Sequence, residues 1–347
     1  STGAMLSSGL FLLPGLAASK AGPSAILAYL IAGFLAIPAM LSVAELSSAL
    51  PKAGGAYYFL ERALGPSIGT IAGIGTWLSL VLKDAFALVG MSAYLVLILD
   101  VNGKVMALVL IAFFTFVNVV GSKVSGSIQL FLVVFVLTIM AWFLTEGLFE
   151  TQKQGIDKSN LDPFFAEGFS GLISVIGLVF VAYGGLTKVA SAAEEVDDPS
   201  LKIPLGMSLS LLVGTVLYTL GALVAVALLP SDILHEDLAP IHSAAETILP
   251  SAGVALVVLA ALAAFASAVN AGILAAARYP MAMARDGLFP EVAGRLSRYG
   301  TPAFGVVVTG IAIALVVLLL DAESIAKLAS AFVLLTLGLL NIAVLVL

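Results

Sequence analysis

Lys83 and Asp84 stand side by side in the middle of an apolar run, IGTIAGIGTWLSLVLKDAFALVGMSAYL. By helix rise each lies roughly 20 Å from either end of that run, beyond the comfortable reach of a snorkelling side chain. Adjacent helix positions point about 100° apart, so the two are not simply each other's partner. Steps of three and four from Lys83 collect Gly69, Gly73, Thr76, Leu80, Ala87, Gly90 and Tyr94, mostly small residues that suit contact with other helices. Lys83 is therefore expected to point into protein, where an ionisable group within a membrane is a functional candidate by default. Two roles fit it. One is a fixed ammonium standing where a bound cation would otherwise sit, or cycling a proton; the other is a structural buried pair with Asp84 or with carbonyls of a neighbouring helix.

A second group with chemical content opens the chain. STGAMLSSGLFLLPGL is apolar but interrupted by Ser7, Ser8 and Gly9. Gly costs about 1 kcal/mol relative to Ala inside a helix, and Ser prefers caps, so the cluster predicts that the helix unwinds there. Unwound backbone at membrane depth is tolerated only where it lines a cavity or is buried in protein. A similar cluster, AYGGLT, interrupts a later apolar segment at 182–187. The half-helix after the first break, residues 10–18, offers free N–H groups and the positive end of its dipole, which suit a carboxylate. The half-helix before the second break, residues 168–183, ends in carbonyls and suits an ammonium. Face to face, Ser7, Ser8 and Gly9 with Ala182, Tyr183, Gly184 and Gly185 describe a receptor for an amino-acid zwitterion. The small Ala182 and Gly185 leave room for an apolar or neutral side chain in preference to a cationic one. The plainer alternative is that both clusters are packing notches between helices.

Other polar residues define what the chain does not do. Both histidines, His235 and His242, fall in one polar loop, away from any apolar segment. An intramembrane serine protease needs a membrane histidine and an aspartyl protease needs two membrane aspartates, so an enzyme is not expected. No filter loop repeats and no ring of like charge is present, which argues against a channel. A non-transporting membrane scaffold remains as the other alternative. Nothing in the sequence calls for a metal, a cofactor or a nucleic acid. Ser267 and Asn270, in the eighth apolar segment, read either as lining of an ion or solute path or as helix-to-helix hydrogen bonds. Lys188, one turn past the second break, reads as a gate or as a lysine snorkelling to the membrane surface.

These groups need elements to hold them, and composition names the class. Of 347 residues, 61% are hydrophobic and 10% charged, and mean hydropathy is +1.16, against about a quarter charged in soluble domains. Lipid must be the main solvent. A template of about 20 apolar residues per crossing gives about ten segments, centred near the opening run, Ile37, Lys83, Ile111, Val136, Phe180, Val216, Phe265, Ile313 and Leu335. With the N-terminus in the cytoplasm, the inside loops receive Lys52, Arg62, Lys123, Lys202, Arg278, Arg285, Arg295 and Arg298, including every arginine. An all-α polytopic protein of the inner cell membrane follows, in contact with lipid. The breaks in the first and sixth segments divide it into residues 1–149, a connecting outside loop at 150–167, and residues 168–347, the pattern of an inverted-repeat transporter. The absence of an initiator Met and the apolar ending NIAVLVL read as a fragment of a longer protein.

GAMLSSGLF resembles the GxxIGSGIF signature in the first helix of the amino acid–polyamine–organocation (APC) transporters. AELSSALPKAGGAYYFLERALG is similar to that family's second helix and first inside loop, FVAYGGLTKVASAAEEVDDPSLKIP to its broken sixth helix, and RYPMAMARDGLFP to the end of its eighth. The resemblance implies the leucine-transporter fold, with helices 1 and 6 discontinuous, five plus five inverted helices, and two further helices beyond this chain. It also implies secondary transport of amino acids by alternating access, proton-coupled or as exchange, with the carboxylate at Ser7, Ser8 and Gly9 and the amine at Ala182, Tyr183 and Gly184. Some proton-coupled members carry a lysine in helix five; counting from GSKVSGSIQ puts Val136 there. Lys83 and Asp84 in helix three are the candidates to replace it in coupling to H+.

Overall fold

The computed structural model describes residues 2–50, 55–121, 126–154, 158–185, 188, 196 and 198–346, and every regular element among them is helical. Lys52, Lys123, Leu186 and Thr187, used in the sequence reading, lie outside the described residues.

The opening apolar run is three helical pieces, α1 (Thr2–Met5), α2 (Ser8–Phe11) and α3 (Leu13–Ala21). Gly22, at φ +59°, ends α3, and a Cβ there would also come within 2.9 Å of Ala166. The chain then enters α4 (Ala25–Ala49). A short amphipathic helix, α5 (Gly55–Leu64), buries Tyr57, Phe59 and Leu60. Gly65 (φ +85°) and Pro66 start α6 (Pro66–Val96), the proline standing where a helix has no use for its N–H. Asn102 caps α7 (Gly103–Val120) by accepting from the Lys104 and Val105 N–H groups, and Gly121 in the left-handed region ends it. α8 (Gly126–Gln154) completes the first half.

The second half opens with α9 (Gly168–Val179), which tightens into a 3₁₀ turn at Phe180–Gly185. α10 (Pro199–Leu228) follows, then two short helices, α11 (Ser231–Glu236) and α12 (Pro240–Ile248). The long α13 (Ser251–Arg285), α14 (Ala303–Leu319) and α15 (Ala322–Val346) end the chain.

Among the described residues, seven stretches are long and apolar enough to cross a membrane, one of them Leu13–Ala49, which is α3 and α4 joined through the turn at Gly22. Gly168–Tyr183 and Ala303–Leu319 are shorter apolar helices; the latter, with 17 residues, spans about 26 Å of a core about 30 Å thick. All of the apolar segments read from the sequence are therefore helical.

α6 is the central element. It packs on α5, α7, α13, α14 and α15, and 78% of its most apolar window is buried, against 22% for α7. The expected stripe of small residues is its inner face: Gly69 meets Glu61, Gly73 meets Tyr57 and Met283, and Gly90 meets Phe265 and Leu12. The same packing holds Lys83 and Asp84 inside the protein. α4 pairs with α10, so closely that a Cβ on Gly33 would come within 2.5 Å of Thr215.

Candidate functional site

The first expected break is present, and at the second, expected at 182–187, the described residues through Gly185 form a 3₁₀ turn. The first lies at Leu6 and Ser7, between α1 and α2; Ser7 has φ −159° and ψ −123°, outside the helical region. A second irregularity follows at Leu12, which separates α2 from α3 and which the sequence reading had run through as helix. In the sixth segment the α-helix ends at Val179, earlier than the expected 183, because Ser330 of α15 intervenes: its hydroxyl donates to Leu178 O (2.5 Å) and accepts from Val181 N–H (3.0 Å).

The two breaks touch. A Cβ built on Gly9 would stand 2.5 Å from Ala182 Cβ and 3.3 Å from Tyr218 Cζ, so only glycine fits. Ser7, Ser8, Gly9, Ala182, Tyr183, Gly184 and Gly185 are all buried. Several carbonyls freed by the breaks are taken up by tyrosines. Tyr218 Oη lies 2.7 Å from Met5 O and 3.3 Å from Ala182 O, so one hydroxyl joins the two breaks. Tyr29 donates to Gly9 O (2.9 Å), Tyr94 to Phe11 O (3.1 Å), and Tyr183 to Tyr29 O (2.8 Å). In a medium without water each unpaired carbonyl would cost several kcal/mol, so these hydroxyls make the broken backbone tenable. Tyr29, Tyr218 and Ser330 did not enter the sequence reading, and Tyr94 entered only as part of the helix-contact stripe; the available signal was a hydroxyl at a position that a lipid-facing helix would fill with an apolar residue.

Donors at the start of α2 differ. Ser7 is its N-cap residue, yet its side chain makes no capping bond, and Ser7 Oγ, 1% exposed, is without a hydrogen-bond partner. A buried hydroxyl and an uncapped helix start therefore coincide beside Gly9.

Lys83 and Asp84 are 3% and 1% exposed. Asp84 pairs with Lys188 (Oδ1 to Nζ 3.3 Å), which also donates to Ala268 O of α13 at 3.1 Å. Lys188 is itself 7% exposed, so the snorkelling alternative does not hold. The carboxylate lies against Gly272, where a Cβ would come within 1.9 Å of Oδ1. Lys83 Nζ and Asp84 Oδ2 are both without a hydrogen-bond partner, and Lys83 Nζ is 3.8 Å from where a Cβ on Gly184 would sit. Adjacent in sequence, the two residues diverge as helix geometry requires.

Ser267 accepts from Gln129 Nε2 (2.9 Å), and Asn270 Oδ1 accepts from Asn118 Nδ2 (3.1 Å), so both tie α13 to neighbouring helices. Asn270 also lines a cavity of about 660 Å³ with Asn118, Gln129 and Arg278. Val136 is buried beside Gly3, Leu6 and Ser267 around a small cavity. At the C-terminal end of α13, Asp286 accepts from Tyr57 Oη at 2.7 Å. Burial and that carboxylate hold the Tyr57 hydroxyl above its usual range.

The fold and its buried helix interruption are those of a polytopic helical membrane protein, and the comparisons with known proteins give its family. The chain matches the amino acid permease family over residues 1–347 and belongs to it. It is 31% identical to the cationic amino acid transporter 2, vacuolar, of Arabidopsis thaliana, over 99% of this chain and 58% of that protein. It is 30% identical to a branched-chain amino acid permease of Lactococcus lactis, over 88% of this chain and 70% of that protein. It is also 27% identical to a methylthioribose transporter of Bacillus subtilis, over 99% of this chain and 78% of that protein. The chain thus spans a little under three fifths of the length of the Arabidopsis relative.

Proposed function

We propose that this chain is the core of a secondary transporter that moves amino acids across the membrane by alternating access. Ser7 Oγ and the backbone N–H groups around Ser8 and Gly9 receive the carboxylate. Carbonyls around Ala182, Tyr183 and Gly184 receive the ammonium, and Gly185 leaves space for the side chain. The observation that carries this reading is the contact of Gly9 with Ala182, joined through Tyr218. In that contact the two breaks close on each other, so a solute enters only as α1 to α3 and the 180–185 turn separate. The ammonium then replaces the Tyr218 hydroxyl at Ala182 O, and the carboxylate meets the open donors at Ser7.

In this reading residues 1–149 and 168–347 are inverted repeats joined by an outside loop at 150–167. The N-terminus is cytoplasmic, and the protein sits in the cell membrane among lipids. Transport is coupled to protons or runs as exchange, with Lys83 and Asp84 as the coupling pair and Ser267 and Asn270 as wall of the path. Family membership and the printed names of two relatives support amino acids as the solute class. The test is uptake by the full-length protein in proteoliposomes, against a panel of labelled amino acids with methylthioribose included. Saturable uptake of at least one amino acid is expected. Uptake of none, or of methylthioribose alone, overturns the reading.

A further inference from the structure

The cluster of Lys83, Asp84 and Lys188 holds two lysine amines and one carboxyl group, all buried. Lys188 donates to Asp84 Oδ1 and to Ala268 O. Among the described residues Lys83 Nζ has no acceptor, and it reaches the second break, 3.8 Å from where a Cβ on Gly184 would sit. A buried ammonium carries three donors and no acceptor, and leaving them unmet is among the most costly arrangements a protein interior can hold. The carboxylate of Asp84 cannot turn freely toward it: Gly272 presses on one side and Lys188 holds Oδ1.

Ala182, two residues before Gly184, is the residue that touches Gly9. Resting on the transport reading above, an amino acid held between the breaks by its backbone charges carries its side chain within reach of this unmet cation. We infer that Lys83 sets the charge class of the solute: side chains ending in an oxygen acceptor, carboxylate before carboxamide, are taken, and those ending in an ammonium or guanidinium are refused. A carboxylate gains a charge-assisted hydrogen bond in a medium of low dielectric, whereas a second cation there meets repulsion that water does not screen. The preference is opposite to the one printed in the name of the Arabidopsis relative, and it replaces the apolar or neutral class suggested by the small residues at the break, agreeing with that reading only in refusing cations.

The experiment is uptake of labelled glutamate, glutamine, leucine and arginine by the full-length protein in proteoliposomes, each at one concentration and pH. Glutamate is expected to exceed arginine by at least about tenfold, the factor that one charge-assisted hydrogen bond supplies. Lys83→Met is expected to lower the glutamate-to-arginine ratio by about the same factor, and Lys83→Arg to keep it. Arginine taken up as well as glutamate, leucine taken up with glutamate ignored, or an unchanged ratio in Lys83→Met overturns the inference and leaves the transport reading standing. Uptake of none of the four, nor of any other amino acid, removes both. If Lys83→Met fails to fold, the wild-type ratio and Lys83→Arg decide.

Discussion

Gly9 and Ala182 meet so closely that a methyl group on the glycine would overlap the alanine side chain, at 2.5 Å. Two stretches of broken helix, one from the start of the chain and one from its middle, are thereby fixed against each other in the core, and the expected effects of substitution follow from how they are held.

Gly9→Ala forces the breaks apart. A destabilisation of about 1–3 kcal/mol is expected from overpacking, together with loss of solute binding. Gly177 in α9 has nothing within 4 Å of an added Cβ, so Gly177→Ala is expected to be neutral or stabilising by up to about 1 kcal/mol. Thermal unfolding of both variants in detergent checks the contrast; equal effects would remove the importance of the Gly9 contact.

Tyr218→Phe strips the hydroxyl that reaches both Met5 O and Ala182 O. The cost expected is about 1–3 kcal/mol for the carbonyls left unpaired. The breaks should also separate more often. This chain contains no cysteine, so a single Ser7→Cys reports on access: its modification by a thiol reagent should be faster in the Tyr218→Phe background. An unchanged rate would mean that the tyrosine does not hold the breaks together.

Asp84 and Lys188 are coupled, and removing one leaves the other buried without its partner. Asp84→Asn and Lys188→Met are each expected to destabilise by about 3–5 kcal/mol, and the double variant by clearly less than the sum. Melting temperatures of the three variants give the coupling, and simple additivity would argue that the pair is incidental.

How far these features were legible depends on how local their cause is. The apolar segments were readable because hydropathy over about 20 residues is decided by lipid. The break at Ser7 was readable because Ser and Gly weaken a helix from within, whatever surrounds it. The early end of α9 at Val179 was not, because Ser330, far along the chain, fixes it. The pairing of Asp84 with Lys188 was equally hidden: both residues stood out as charges in apolar sequence, but their meeting depends on α6, α13 and the segment after the second break converging. Tyr29 and Tyr218 were overlooked since apolar context makes a tyrosine look like one more aromatic, and only the geometry reveals which carbonyl each hydroxyl serves.

Lys83→Met should flatten the pH dependence of uptake in proteoliposomes, if the lysine carries the coupled proton. A pH profile matching wild type would leave Lys83 with a role in solute selection or packing alone.

Protection of the two breaks by one solute is the most direct measurement of the central claim. Ser7→Cys and Ala182→Cys, made singly in the full-length protein, would be modified with a small thiol reagent, with and without a saturating transported amino acid. The account predicts that the amino acid slows modification at both positions, with the same half-maximal concentration. Protection at one position only, at neither, or at two unrelated concentrations would contradict it.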